Sequence, residues 1–175
     1  MPFNPTASVI STDLDNMLRG LYRDNSDRVI TGTTSDSPMA GVNISPNTIG
    51  PTGGIRVHAA GSCVGAGGGR TIGVFFGSGG SRVNVCSLTV PAGTQCWEIE
   101  CWIFNTATNA QRAVARMAYW PAAVGSPGTA VVQEQHTNMA VDTSQNQVIQ
   151  TAVTPLSALD TVTNRMFTVM VVQIN

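Results

Sequence analysis

From Ile55 to the C-terminus, short runs rich in valine, isoleucine, threonine and aromatic residues alternate with glycine- and proline-marked turns. The runs fall at 55–60, 71–76, 82–90, 95–104, 111–119, 129–136, 147–153 and 166–174. Between them lie Gly65–Gly69, Gly77–Gly80, Pro91–Gly93, Thr106–Asn109, Pro121–Gly128, Thr143–Gln145 and Pro155–Asn164. Most of these runs are too short for stable helices, and the turn residues break any helical period. The pattern predicts an all-β fold, an eight-stranded antiparallel jelly-roll sandwich. No segment repeats at a fixed period, so a solenoid is not expected.

Residue parity assigns faces, because successive strand side chains point to opposite sides. In 95–104 the odd positions Trp97, Ile99, Cys101 and Ile103 form an apolar face for the core. The even positions are Cys96, Glu98, Glu100, Trp102 and Phe104, where water or a partner must meet two carboxylates and two aromatic rings. In 111–119, Ala113, Ala115, Met117 and Tyr119 point inward, leaving Arg112, Val114 and Arg116 outside. Pairing of these two strands predicts cross-strand Arg–Glu contacts of about 0.2–1 kcal/mol each. The last strand, Met166–Ile174, is apolar on both sides and needs cover on both.

Residues 1–30 read differently, as an N-terminal arm ahead of a 31–175 domain. Pro2, Phe3 and Pro5 mark an extended start. Over 11–24, Leu14, Met17, Leu18 and Leu21 fall at helical spacing behind a Thr12 cap, which predicts a short helix despite Gly20. This arm either covers one end of the domain or docks on a neighbouring subunit, with Phe3, Leu14, Leu18, Leu21 and Tyr22 as contact candidates. Residues 31–54 read as loop, with a short strand at Ala40–Ile44.

Charge and length restrict the function classes. Apolar residues make up 42% of the 175-residue chain, enough for a proper core. Charged residues make up only 11%, with a net charge of -1, so a basic nucleic-acid-binding surface is not expected. All nine basic residues are arginines, which suit bidentate pairing with carboxylates at interfaces. The sequence carries no apolar run of transmembrane length and no signal-peptide pattern, so neither a membrane span nor export is expected.

Candidate chemistry is sparse. Cys63, Cys86, Cys96 and Cys101 form no C-x-x-C pair, and His58 and His136 are far apart, so no metal or cofactor is expected. Four reduced thiols are the expectation; a Cys63–Cys86 or Cys86–Cys96 bridge stays open. Gly65-Ala66-Gly67-Gly68-Gly69-Arg70 lacks the Gly-Lys-Ser/Thr and the following helix of a phosphate loop, and reads as a turn. Glu98 and Glu100 share a strand face at about 7 Å, a separation used by glycosidases but equally common on any solvated strand. No nucleophile elbow occurs. The chain is not expected to be an enzyme.

Several segments in order resemble the β-sandwich module of tailed-bacteriophage decoration (cement) proteins and head- and tail-fibre proteins. They are Ile55-Arg56-Val57-His58-Ala59-Ala60-Gly61, Thr71-Ile72-Gly73-Val74-Phe75-Phe76-Gly77, Trp97-Glu98-Ile99-Glu100, Ala110-Gln111-Arg112-Ala113-Val114-Ala115 and Asp160 through Met166-Phe167-Thr168-Val169. The likeness covers about two-thirds of the chain; the 1–30 arm and the Pro121–Gly128 loop depart from it. The resemblance implies a structural virion protein without catalysis, made in the bacterial host cytoplasm. It would sit on the capsid exterior as a homotrimer bound to major capsid protein, contacting neither nucleic acid nor membrane. Trp102, Phe104, Arg112 and Arg116 join the arm residues as interface candidates. The alternative is a receptor- or glycan-binding domain of a fibre, with Trp102 and Trp120 stacking on sugars.

Overall fold

The computed structural model describes residues 18–65, 69–121 and 129–172, with backbone only for 18–21. The described chain contains eleven strands: Leu18–Asp24 (β1), Arg28–Ile30 (β2), Ser37–Ile44 (β3), Gly54–Val64 (β4), Arg70–Phe76 (β5), Val83–Val90 (β6), Cys96–Ala107 (β7), Ala110–Trp120 (β8), Val131–Met139 (β9), Gln147–Pro155 (β10) and Thr161–Val172 (β11). The eight expected strands correspond to β4–β11. Three more precede them, β3 being a longer version of the strand expected at Ala40–Ile44.

The strands form two antiparallel sheets. One runs β1-β11-β4-β7-β8-β9, with β2 also on β11; the other runs β3-β10-β5-β6. Four nested pairs underlie this order: β5 with β6, β4 with β7, β3 with β10, and β1 with β11. Successive pairs alternate between sheets, so the chain is one long antiparallel hairpin rolled upon itself, which is the jelly roll. The β8–β9 hairpin widens the first sheet beyond the roll.

Alternating apolar positions of both sheets interdigitate to form the core. Ile55, Val57 and Ala59 of β4, Trp97, Ile99, Cys101 and Ile103 of β7, and Phe167 and Val169 of β11 face Ile72, Val74 and Phe76 of β5, Leu88 of β6 and Ile149 of β10. Each fully buried side chain of this size contributes about 1.5–3 kcal/mol. Gly61 has to be glycine: where β11 bulges between Asn164 and Met166, an added Cβ would lie 1.9 Å from the Thr163 carbonyl oxygen.

The helix expected over 11–24 is corrected for its second half. Residues 18–24 are strand β1, and 11–17 lie outside the described residues. A short helix with an internal glycine is marginal alone. Pairing with β11 instead satisfies that strand's edge and sets the Tyr22 ring edge-on to Phe167 at 6.0 Å. The Asp24 carboxylate then accepts from the Ser26 backbone N–H at 2.8 Å and from Arg28 at 3.1 Å, turning the chain into β2. The backbone hydrogen bond is the main cause holding the Asp24 carboxyl below its ordinary range.

Both ends of the sandwich are tied by polar links. At one end Gly32 donates to Ala158, Leu156 to Gly69 and Cys63 to Gln95. Under these loops Arg70 and Asp160, both fully buried, form an ion pair at 3.5 Å. Arg70 also donates to the Gly65 carbonyl at 3.3 Å. At the other end the Gln111 amide exchanges two 2.9 Å hydrogen bonds with the Val141 backbone. Asn105 reaches Gly50 there at 2.6 Å.

Candidate interaction surface

The outer face of the seven-stranded sheet gathers most of the functional candidates. Strand parity makes it: even residues of β4, β7, β8 and β9, and those of β11 from Met166 onward, after its bulge, point away from the core. Register then aligns them in rows. One row reads His136, Val114, Trp102, Arg56 and Met170; the next reads Glu134, Arg116, Glu100, His58 and Thr168.

Contacts within the face are diagonal. Arg56 donates to Glu100 from Nη2 at 2.6 Å and from Nε at 2.8 Å. His58 Nε2 lies 2.8 Å from Glu98 Oε1. The Arg56 guanidinium also sits 5.0 Å from the centre of the Trp102 ring, a cation–π contact. Trp102 and Phe104 lie nearly parallel, with centroids 6.1 Å apart and planes 6° apart. Both rings are half-buried without anything stacked above them among the described residues except Arg56.

The expected Glu–Arg pairs across the β7–β8 hairpin are therefore replaced. Arg116 stands opposite Glu100 in register, but Glu100 is taken by Arg56 from the other side. Right-handed sheet twist favours one diagonal over the directly opposed pair. Arg112 and Arg116 stay exposed on β8, flanking the exposed Val114. Glu98 and Glu100, weighed above as a carboxylate pair, each have a cationic or imidazole neighbour on β4.

Two shallow depressions lie on this face. One of about 150 Å³ is lined by Glu98, Glu100, Arg116, Met117, Ala118, Trp120, Ala130 and Val132. The other, about 80 Å³, lies between Arg56, His58, Thr168 and Met170. Both fall below the roughly 300–1,000 Å³ of ordinary small-molecule sites.

The remaining candidates scatter. Phe3 and Leu14 lie outside the described residues; Leu18 and Leu21 belong to β1. Tyr22 packs on the core and donates to Asp24 at 3.2 Å, away from the Trp102 face. Arg56, His58, Thr168 and Met170 complete the face and were missed. The parity of 55–60 signals the first two, but only register brings them to Trp102 and Glu100. Among the described residues, no three His, Cys, Asp or Glu side chains come together as a metal site.

All four cysteines are free thiols. Cys101 of β7 faces Cys86 of β6 across the two sheets, and the proximity of that thiol together with burial raises the Cys101 pKa well above the ordinary thiol value. Burial pushes Cys63 up to about 11. The neighbour of Cys86 is thus Cys101, a pairing outside the two bridges left open above.

No protein-family model matches the chain, and no curated protein matches its sequence. Among solved structures it is similar to lectin I from Ulex europaeus, solved with the methyl glycoside of α-L-fucose. Identity is 10% over 90% of this chain and 92% of the lectin, with a TM-score of 0.42. It is also similar to a chain in the structure of infectious bursal disease virus, Gx strain. Identity there is 12% over 90% of this chain and 42% of that chain, with a TM-score of 0.30.

Proposed function

We propose that this chain is a structural virion protein, one that decorates and stabilises a phage capsid by binding major capsid subunits. The observation that carries this reading is the outer sheet face. It presents two half-buried parallel aromatic rings beside Met170 and Val114, with Arg56 paired to Glu100 and Arg112 and Arg116 exposed, and its depressions are shallow. Such a face favours a broad protein partner, whose contact removes the aromatic area from water. Binding that favours the closed shell stabilises it by mass action, with no catalytic step or cofactor. The expected assembly is a homotrimer on the capsid exterior.

A second reading has one specific observation. Trp120 beside Glu98 and Glu100 in the larger depression suits a sugar ring and its hydroxyls, as in a receptor- or glycan-binding domain of a head or tail fibre.

Co-sedimentation separates the two. The purified protein is spun with intact phage particles lacking it, and separately with host-cell surface polysaccharide. Saturable pelleting with particles alone supports decoration. Retention by polysaccharide alone overturns it in favour of glycan binding.

A further inference from the structure

We propose that the free edge of β9 is a self-association surface, on which β9 of a second copy pairs antiparallel about Gln135. This goes beyond the function proposed above and does not depend on it.

Among the described residues five strands lie at sheet edges: β1 and β2 along one side of the first sheet, β9 on its other side, and β3 and β6 in the second sheet. Sheet edges present unpaired N–H and C=O groups, and proteins blunt them with bulges, proline, lysine or short length. Four of the five are blunted, β2 by its length of three residues. A bulge interrupts β1 at Leu21, β3 at Met39 and β6 at Val85, and β3 carries Pro38 as well. A bulge bends and twists its strand, so a straight partner cannot follow the outer edge.

The β9 edge has none of these devices. It pairs with β8 through nine consecutive partners, Val131 to Met139, without a register shift. It contains no proline, and Glu134 is its one acid or arginine. Val131 and Val132 are 39% and 45% exposed, and among the described residues no strand pairs with its outer edge.

Self-complementarity selects a second copy as the occupant. With Gln135 on a two-fold axis, Glu134 of each copy stands opposite His136 of the other, and Gln133 stands opposite Thr137. Val131 then meets Met139. This register keeps the outer-face residues Glu134 and His136 on one side of the joined sheet. Gln133, Gln135 and Thr137 stay on the other. A register offset by one residue would turn every outer side chain inward. The contact is isologous, giving a dimer by itself and a hexamer if trimers meet through it.

Sedimentation and crosslinking test this on the full chain. The wild-type protein is expected as dimers or hexamers by analytical ultracentrifugation; monomers or trimers alone at every concentration would overturn the proposal. Glu134→Cys and His136→Cys variants are then prepared separately and oxidised with glutathione disulfide. Directly opposed Cβ atoms in such a ladder lie about 4.5–5.5 Å apart, near disulfide range. The equimolar mixture is expected to yield a covalent dimer that neither variant forms alone. Equal crosslinking by Glu134→Cys alone refutes the register, and assemblies that resist crosslinking in the mixture refute the edge. Should either variant misfold by circular dichroism, the wild-type sedimentation result decides. Loss of particle binding with the dimer intact would count against the proposed function and leave this contact standing.

Discussion

Removing one charge from the Arg70–Asp160 pair is the sharpest test of the packing argument. Both side chains are fully buried, and the pair joins the first residue of β5 to the loop ahead of β11. Asp160→Asn keeps shape and most hydrogen-bonding capacity but leaves the guanidinium without its carboxylate in a site water does not reach. Breaking a buried pair from one side costs about 3–5 kcal/mol. For a chain of this size each kcal/mol lowers Tm by roughly 2–4 °C, so the expected loss is about 6–20 °C. Glu100→Gln supplies the control. It removes the same charge from a pair whose members are 36% and 33% exposed. Partly exposed pairs contribute at most about 1 kcal/mol, a shift of no more than about 4 °C. Replacing both buried partners together, Arg70→Met with Asp160→Leu, is expected to recover much of the loss, because no lone charge remains. The assay is thermal unfolding by calorimetry, with urea unfolding at fixed temperature alongside. If Asp160→Asn melts within the range of Glu100→Gln, burial is not what sets the energetics of this pair, and the reasoning fails.

Further outcomes are expected. Trp102→Ala or Phe104→Ala weakens particle binding well before it weakens the fold, since both rings are half-buried on the outer face; equal losses in pelleting and in Tm would contradict this. Alkaline pH destabilises the protein through Cys63. Its thiol is raised to about 11 from 9.0, so the unfolded chain loses that proton first and stability falls as pH rises from 9 towards 11. A melting series across that window, repeated with Cys63→Ala, is expected to show a flatter slope in the variant.

The strand pattern from Ile55 onward was legible because period-2 alternation is a local property. The inward set Trp97, Ile99, Cys101 and Ile103, read by parity alone, is the set that the structure buries. The outward position of Trp102 and Phe104 followed from the same rule. The start of the chain was not legible in this way. Leu18 and Leu21 fit a helix as well as a strand, and the deciding term is the open edge of β11, some 150 residues away in sequence. Likewise, strand pairing pointed Glu98 and Glu100 to the arginines of β8, and only the diagonal geometry of a twisted sheet gave Glu100 to Arg56.

By itself, then, the sequence determined which residues alternate, where the chain turns, and that few charges are available to solvate its surface. These depend on side-chain chemistry and neighbours a few positions away. The tertiary structure decided which strands pair, which edges are bulged, and which polar groups meet beneath the loops. Those outcomes depend on backbone hydrogen bonds and charges that find one another only after distant segments share a sheet, where a single bulge or register step redirects every side chain beyond it.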